Sequence, residues 1–182
     1  MEELDNMNIL LASVSTGENL GDKAIGRTLE KYYSESGHTV IVASFCPVDE
    51  ELTIAGLRVK FTERENIIRK QNKLKLFLKK IPIAANLFRN LKNYLIEELV
   101  RKRAALTLSR NCREIFRKQH VDVVIIGGGQ LIKGRHHIFS ACMDFWTRRF
   151  KGVPVCVVGV GCDENFTARD VRIYRRALKR CR

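Results

Sequence analysis

No stretch of this chain approaches the roughly 20 uninterrupted apolar residues that crossing a bilayer requires. The N-terminus, Met1 to Asn8, is acidic and lacks the basic-then-apolar order of a secretion signal. A cytoplasmic protein is therefore the expectation. No two cysteines are spaced C-x-x-C, and no Cys/His set has zinc-finger spacing, so the common zinc modules are excluded and no metal is expected. No loop reads G-x-G-x-x-G or G-x-x-x-x-G-K-[ST], which removes the dinucleotide fingerprint and the P-loop. Internal repeats and low-complexity linkers are missing as well. No recognition-helix or RNA-binding signature appears, and the nine Phe and four Tyr fall in core-like periodicities, so no specific nucleic-acid partner is expected.

What is present suits one well-buried domain: 182 residues, 45% of them apolar, too few for two full α/β domains. The six cysteines (Cys46, Cys112, Cys142, Cys156, Cys162 and Cys181) are read as reduced thiols, since a cytosolic chain of this length needs no disulfide staples. The net charge of +13 is unevenly spread. Between Arg58 and Arg103 there are 14 Lys or Arg against four acids, a local excess of +10. Such a field favours anionic partners without choosing among them.

Along the chain, Asn8 to Val14 is an apolar run of the kind that makes a buried parallel strand. A helix follows, with Ile25, Leu29, Tyr32 and Tyr33 at helical spacing, stopped by Gly37; His38 to Phe45 is a second strand. After an irregular stretch come basic helical segments, with Leu74, Phe77, Leu78 and Ile81 as one stripe. A longer helical region over 84–119 has Leu87, Leu91, Tyr94, Leu95, Leu99 and Leu106 as inward positions. Val121 to Ile126 and Val153 to Val160 read as two more strands, with a helix over 138–150 between them. Thr167 and Asp170 have the spacing of a capping box, with Asp for the usual Glu, opening a final amphipathic helix. Alternating strands and helices imply a parallel sheet covered on both faces, a Rossmann-like α/β fold. The basic segment 58–119 is expected to be a helical insertion within it.

Three strands are expected to end in glycine-bearing loops: Gly17 to Asp22, Gly127 to Gln130, and Gly159 to Gly161. In an open parallel sheet ligands bind beyond the carboxyl ends of the strands. Glycine there reaches positive φ and allows close approach to the backbone, and N–H groups at a following helix start hold anions. The candidate binding residues are thus Gly17, Asn19, Gly21, Asp22, Gly127, Gly128, Gly129, Gln130, Gly159 and Gly161. A structural account also stands: Asn19 as a helix cap with Asp22 near the helix dipole, and the three glycines as a tight strand-to-helix turn.

Taken together, Asn19-Leu20-Gly21-Asp22-Lys23-Ala24-Ile25, then Asp122 to Leu131 (DVVIIGGGQL), then Pro154 to Gly161 (PVCVVGVG), resemble in order and spacing the N-terminal domain of the polysaccharide pyruvyl transferases. The resemblance covers about Asn8 to Arg182. It implies a two-domain fold of the glycosyltransferase B type, with substrates in the cleft between Rossmann-like domains; here the second domain is expected to be absent. It implies exopolysaccharide biosynthesis, with phosphoenolpyruvate as donor substrate and no separate cofactor. Pyruvate passes to two hydroxyls of a saccharide of a cell-surface polysaccharide or its precursor, as a ketal.

Phosphoenolpyruvate carries a phosphate and a carboxylate and needs charge-assisted donors; Lys23, Lys133 and Arg135 are the nearest cations in sequence. Ketal formation also needs proton transfer, for which Asp22, His136 and His137 are candidates. The basic region 69–103 is read either as solvated helices or as a peripheral contact with an anionic membrane at its inner face. The alternatives are a nucleotide-sugar-dependent glycosyltransferase of the same architecture, or a non-catalytic module binding anions or nucleic acid.

Overall fold

The apolar run at the start of the chain forms β1 (Asn8–Ser13), buried from Ile9 onward. In the computed structural model, residues 6–14, 20–47, 52–54, 57–59, 82–134 and 137–182 are described. Burial on both faces suits a central strand, and β1 is one: β2 (Thr39–Ser44) pairs on one side and β5 (Val123–Ile132) on the other, with β6 (Val155–Cys162) beyond β5. All three pairings are parallel, giving the order β2-β1-β5-β6. The crossovers carry helices: α1 (Leu20–Glu35), α2 (Pro82–Asn111) with the short α3 (Arg113–Lys118), and α4 (His137–Arg149). The final helix, α5 (Ala168–Leu178), follows β6. The chain is a Rossmann-like α/β protein.

Successive strand side chains point to opposite faces, so the sheet has two cores. Ile9, Leu11 and Ile125 pack with Leu29 and Tyr33 on the α1 side. Leu10, Ala12, Val124 and Ile126 pack with Leu108, Met143, Trp146 and Tyr174 on the other. The single Trp is fully buried, and its indole N–H donates to the Phe45 carbonyl at 2.9 Å.

Local signals set the element ends. After α1, Gly37 adopts φ +87°. The His38 N–H reaches the Tyr33 carbonyl and the Gly37 N–H the Ser34 carbonyl, both at 3.1 Å, the bonding pattern of a Schellman stop. At α5 the Thr167 hydroxyl accepts from the Asp170 N–H at 3.1 Å and donates to its carboxylate at 2.7 Å, so the expected cap forms. Where β1 meets β5, the Asp122 carboxylate accepts from the Asn8 N–H at 2.7 Å and from its amide at 3.1 Å.

Several expectations are corrected. The third strand does not stop before Gly127; β5 runs through all three glycines to Ile132, with an irregularity after Gly129. Likewise β6 continues through Gly161 to Cys162. The stretch after Pro47 contains an antiparallel pair, β3 (Leu52–Ile54) with β4 (Leu57–Val59). On α2, Leu91, Tyr94, Leu95, Leu99 and Leu106 are exposed, and the inward positions include Ala104, Thr107 and Leu108. The Leu74 to Ile81 stripe lies outside the described residues, as does the Leu87 side chain.

The chain divides into two compact units, one of Met1–Pro47 with Arg103–Arg182 and one of Val48–Lys102. The parallel sheet lies wholly in the first. The segment read as an insertion over 58–119 overlaps the second, which opens on the β3–β4 pair. No described helix is long and apolar enough to cross a membrane.

Candidate functional site

The strand order reverses between β1 and β5: the chain passes from β1 outward to β2, then returns to β1's other side. At such a switch point the two crossovers leave a crevice at the carboxyl ends of the strands. The first turn of α1 sits there, and the reason is steric. A methyl group on Gly127 would meet Leu29 Cδ1 at 2.7 Å, one on Gly128 would meet Gly26 N at 3.2 Å, and one on Gly129 would overlap the Asp22 carboxylate. Asp22, Gly26 and Leu29 lie on one helix face. Gly128 and Gly129 have φ +91° and +88°, open to glycine at little cost. The close approach these glycines allow is therefore that of α1, whose N-terminal turn is held beside the end of β5.

Gln130, next on β5, is exposed. Its amide N–H donates to Asp163 Oδ1, just after β6, and the other carboxylate oxygen accepts the Gly134 N–H at 3.1 Å. The Asp163 N–H in turn reaches the Ile132 carbonyl at 2.9 Å. A carboxylate only accepts, so the Gln130 side chain presents its carbonyl end outward. A Cβ on Gly134 would collide with the Asn165 carbonyl, so only glycine lets the two loops close together. Sequence reasoning missed Asp163, a loop residue in no motif; its position directly after the last glycine-bearing strand was the one available signal.

The rest of this end is tied down by Tyr174, whose hydroxyl accepts from the Lys133 N–H at 3.1 Å and lies 3.2 Å from its carbonyl. Burial pushes that hydroxyl's pKa up. Lys133 itself lies 4.7 Å over the Phe139 ring. Beneath, the Asp170 carboxylate is fully buried and accepts from Ser140 at 3.0 Å.

The structure brings Gly21, Asp22, Gly127, Gly128, Gly129 and Gln130 together at the β1–β5 crevice. Gly161 adjoins them, its Cβ position 3.5 Å from the Gln130 Cα. Gly159, at φ +60°, faces open space on β6. Gly17, Asn19, Arg135 and His136 lie outside the described residues, as does the His137 side chain, although His137 opens α4. An apolar groove of about 530 Å³ beside α5, lined by Ile132, Phe166, Val171 and Leu178 among others, contains none of these residues. Among the described residues no group of three or more His, Cys, Asp or Glu stands close enough to hold a metal. All six cysteines are free; burial pushes the Cys112 thiol up to about 11 and raises that of Cys142 as well.

No curated protein and no solved structure matches the chain. A family model described as polysaccharide pyruvyl transferase matches residues 19–182, which take in α1, β2, β5, β6 and the helices between and after them but not β1. The chain belongs to the polysaccharide pyruvyl transferase family.

Proposed function

We propose that this protein binds phosphoenolpyruvate at the carboxyl ends of β1 and β5 and serves the transfer of its pyruvate unit to a saccharide. Family membership supports the reaction class. The observation that carries the location is the α1 N-terminal turn, fixed by the Gly127 to Gly129 slot at the point where strand order reverses. The N-terminal end of a helix, through its dipole and the direction of its backbone N–H groups, favours an anion. In the reaction the phosphoenolpyruvate C–O bond to phosphate breaks and inorganic phosphate leaves. Two sugar hydroxyl oxygens bond to the former enol carbon as a ketal; of their two protons, one ends on the methylene carbon and the other leaves with the phosphate.

The residues divide this work by charge. An acceptor sugar offers hydroxyl donors, which suit the outward carbonyl of Gln130 and the Asp22 carboxylate better than they suit the amides. Asp22 is assigned the proton of an attacking hydroxyl; it is the one candidate for proton transfer whose side chain is described.

The test is a titration of the isotope-labelled chain with phosphoenolpyruvate, followed by amide NMR. Signals of Gly21, Asp22, Gly129 and Gln130 should shift, while a uridine-diphosphate sugar leaves them in place. The reverse pattern would assign the crevice to a nucleotide-sugar donor. Shifts confined to the basic segment would remove the donor from the crevice.

A further inference from the structure

A surface helix of a globular protein ordinarily turns its apolar stripe to the core. α2 does the opposite along one side from Leu91 onward. Leu91, Leu95, Leu99 and Leu106 are each about half exposed or more, at 52, 52, 49 and 65%. At 3.6 residues per turn they fall within an arc of about 80° on one side of the helix and extend over roughly 22 Å. Lys102 shares that arc, and Arg103 and Arg110 flank it, all three exposed; on its other side the partly buried Glu98 borders it, so cations outnumber acids around the face by three to one. The opposite side carries the buried Ala104, Thr107 and Leu108.

We propose that this leucine face docks on an anionic lipid surface. An exposed apolar ridge of this length asks for a cover, and the charge around it decides which. A second copy of the chain would set Lys102, Arg103 and Arg110 against their own like, within a segment whose excess is already +10 between Arg58 and Arg103. A membrane rich in acidic headgroups reverses that sign, drawing the cations to the phosphates while the leucines enter the boundary of the acyl chains. The face shares no residue with the crevice, so the inference does not depend on which donor binds there. It places the protein where a lipid-linked saccharide would be presented.

The full chain is tested by sedimentation with vesicles of phosphatidylcholine alone and of phosphatidylcholine mixed with phosphatidylglycerol. Wild type should pellet with the mixed vesicles only, and less so as salt is raised. Leu95→Glu with Leu99→Glu should lower the partition coefficient at least about tenfold, because it removes apolar contact and adds two negative charges. Lys102→Glu with Arg103→Glu should weaken binding to the mixed vesicles in the same direction. All four side chains are exposed, so far-ultraviolet circular dichroism should be unchanged. No pelleting of wild type with the mixed vesicles, or equal pelleting of the leucine variant, would overturn the proposal. So would gel filtration without lipid showing a dimer that the leucine variant dissociates, because the face would then belong to a second copy.

Discussion

Replacing Gly129 by alanine imposes two separate demands on the chain. The new residue must adopt φ +88°, and its methyl group must occupy space held by the Asp22 carboxylate. Gly37 separates the two demands, since it shares the angle at +87° but has nothing within 4 Å of the methyl position. An L-residue in the left-handed region costs roughly 1–2 kcal/mol, the loss expected for Gly37→Ala. Overpacking adds roughly 1–3 kcal/mol. Rotating the Asp22 carboxylate away gives no escape, because its Cβ also lies only 2.9 Å from the methyl position. Gly129→Ala should therefore lose roughly 2–5 kcal/mol, a large part of the ~5–15 kcal/mol that holds a domain folded. Urea unfolding followed by the fluorescence of Trp146 reads both variants, and with unchanged slopes the gap in midpoints reports the clash. In an Asp22→Gly background the cost at Gly129 should fall to that at Gly37. Equal losses at the two glycines in the wild-type background, or a Gly129 cost indifferent to Asp22→Gly, would refute the steric account of the slot.

Three further outcomes follow from bonds already described. Asn8 holds the Asp122 carboxyl below the usual carboxylate range, so its contribution is complete above the unfolded value of about 3.9 and lost as pH falls through the lower folded value. Melting curves of wild type and Asp122→Asn should differ at neutral pH and converge on acidification below about pH 4; a constant gap would contradict the assignment. Thr167→Ala removes the α5 cap and leaves one oxygen of a buried carboxylate without its hydroxyl donor, a loss of about 2 kcal/mol that Thr167→Ser should largely restore. Alkylation followed by mass spectrometry should mark the exposed Cys162 first. Cys112, with its thiol pushed up to about 11, and the fully buried Cys142 should react only on unfolding.

The parts legible in the sequence are those whose cause is local. Gly37, the Thr167 and Asp170 cap, and the apolar runs of β1 and β2 each carry their instructions within a few residues. The course of β5 through three glycines was not legible, because glycine ordinarily weakens a strand. Its reason lies in Asp22, Gly26 and Leu29, about a hundred residues earlier. The α2 leucines show the complementary gap. Spacing identifies a stripe, but only the tertiary fold determines which side of the helix is covered, and there the small Ala104 faces inward. The glycines expected in loops beyond the strands lie instead within β5 and β6, a course that their order alone does not reveal. The tie between Gln130 and Asp163 depends on β5 pairing beside the end of β6, and no motif around either residue announces it.

The three steps of the β5 slot also constrain how this chain can vary over time. Leu29 fits against Gly127, Gly26 against Gly128 and Asp22 against Gly129, so each notch receives a different-sized tooth. An insertion or deletion within α1 or within the glycine run would misplace the teeth together. A larger residue at Gly129 should accordingly be accepted only after a smaller one at Asp22, whereas Gly128, facing the Gly26 backbone, and Gly127, facing the Val158 carbonyl as well as Leu29, should stay glycine. Two segments a hundred residues apart would then be inherited as a single unit.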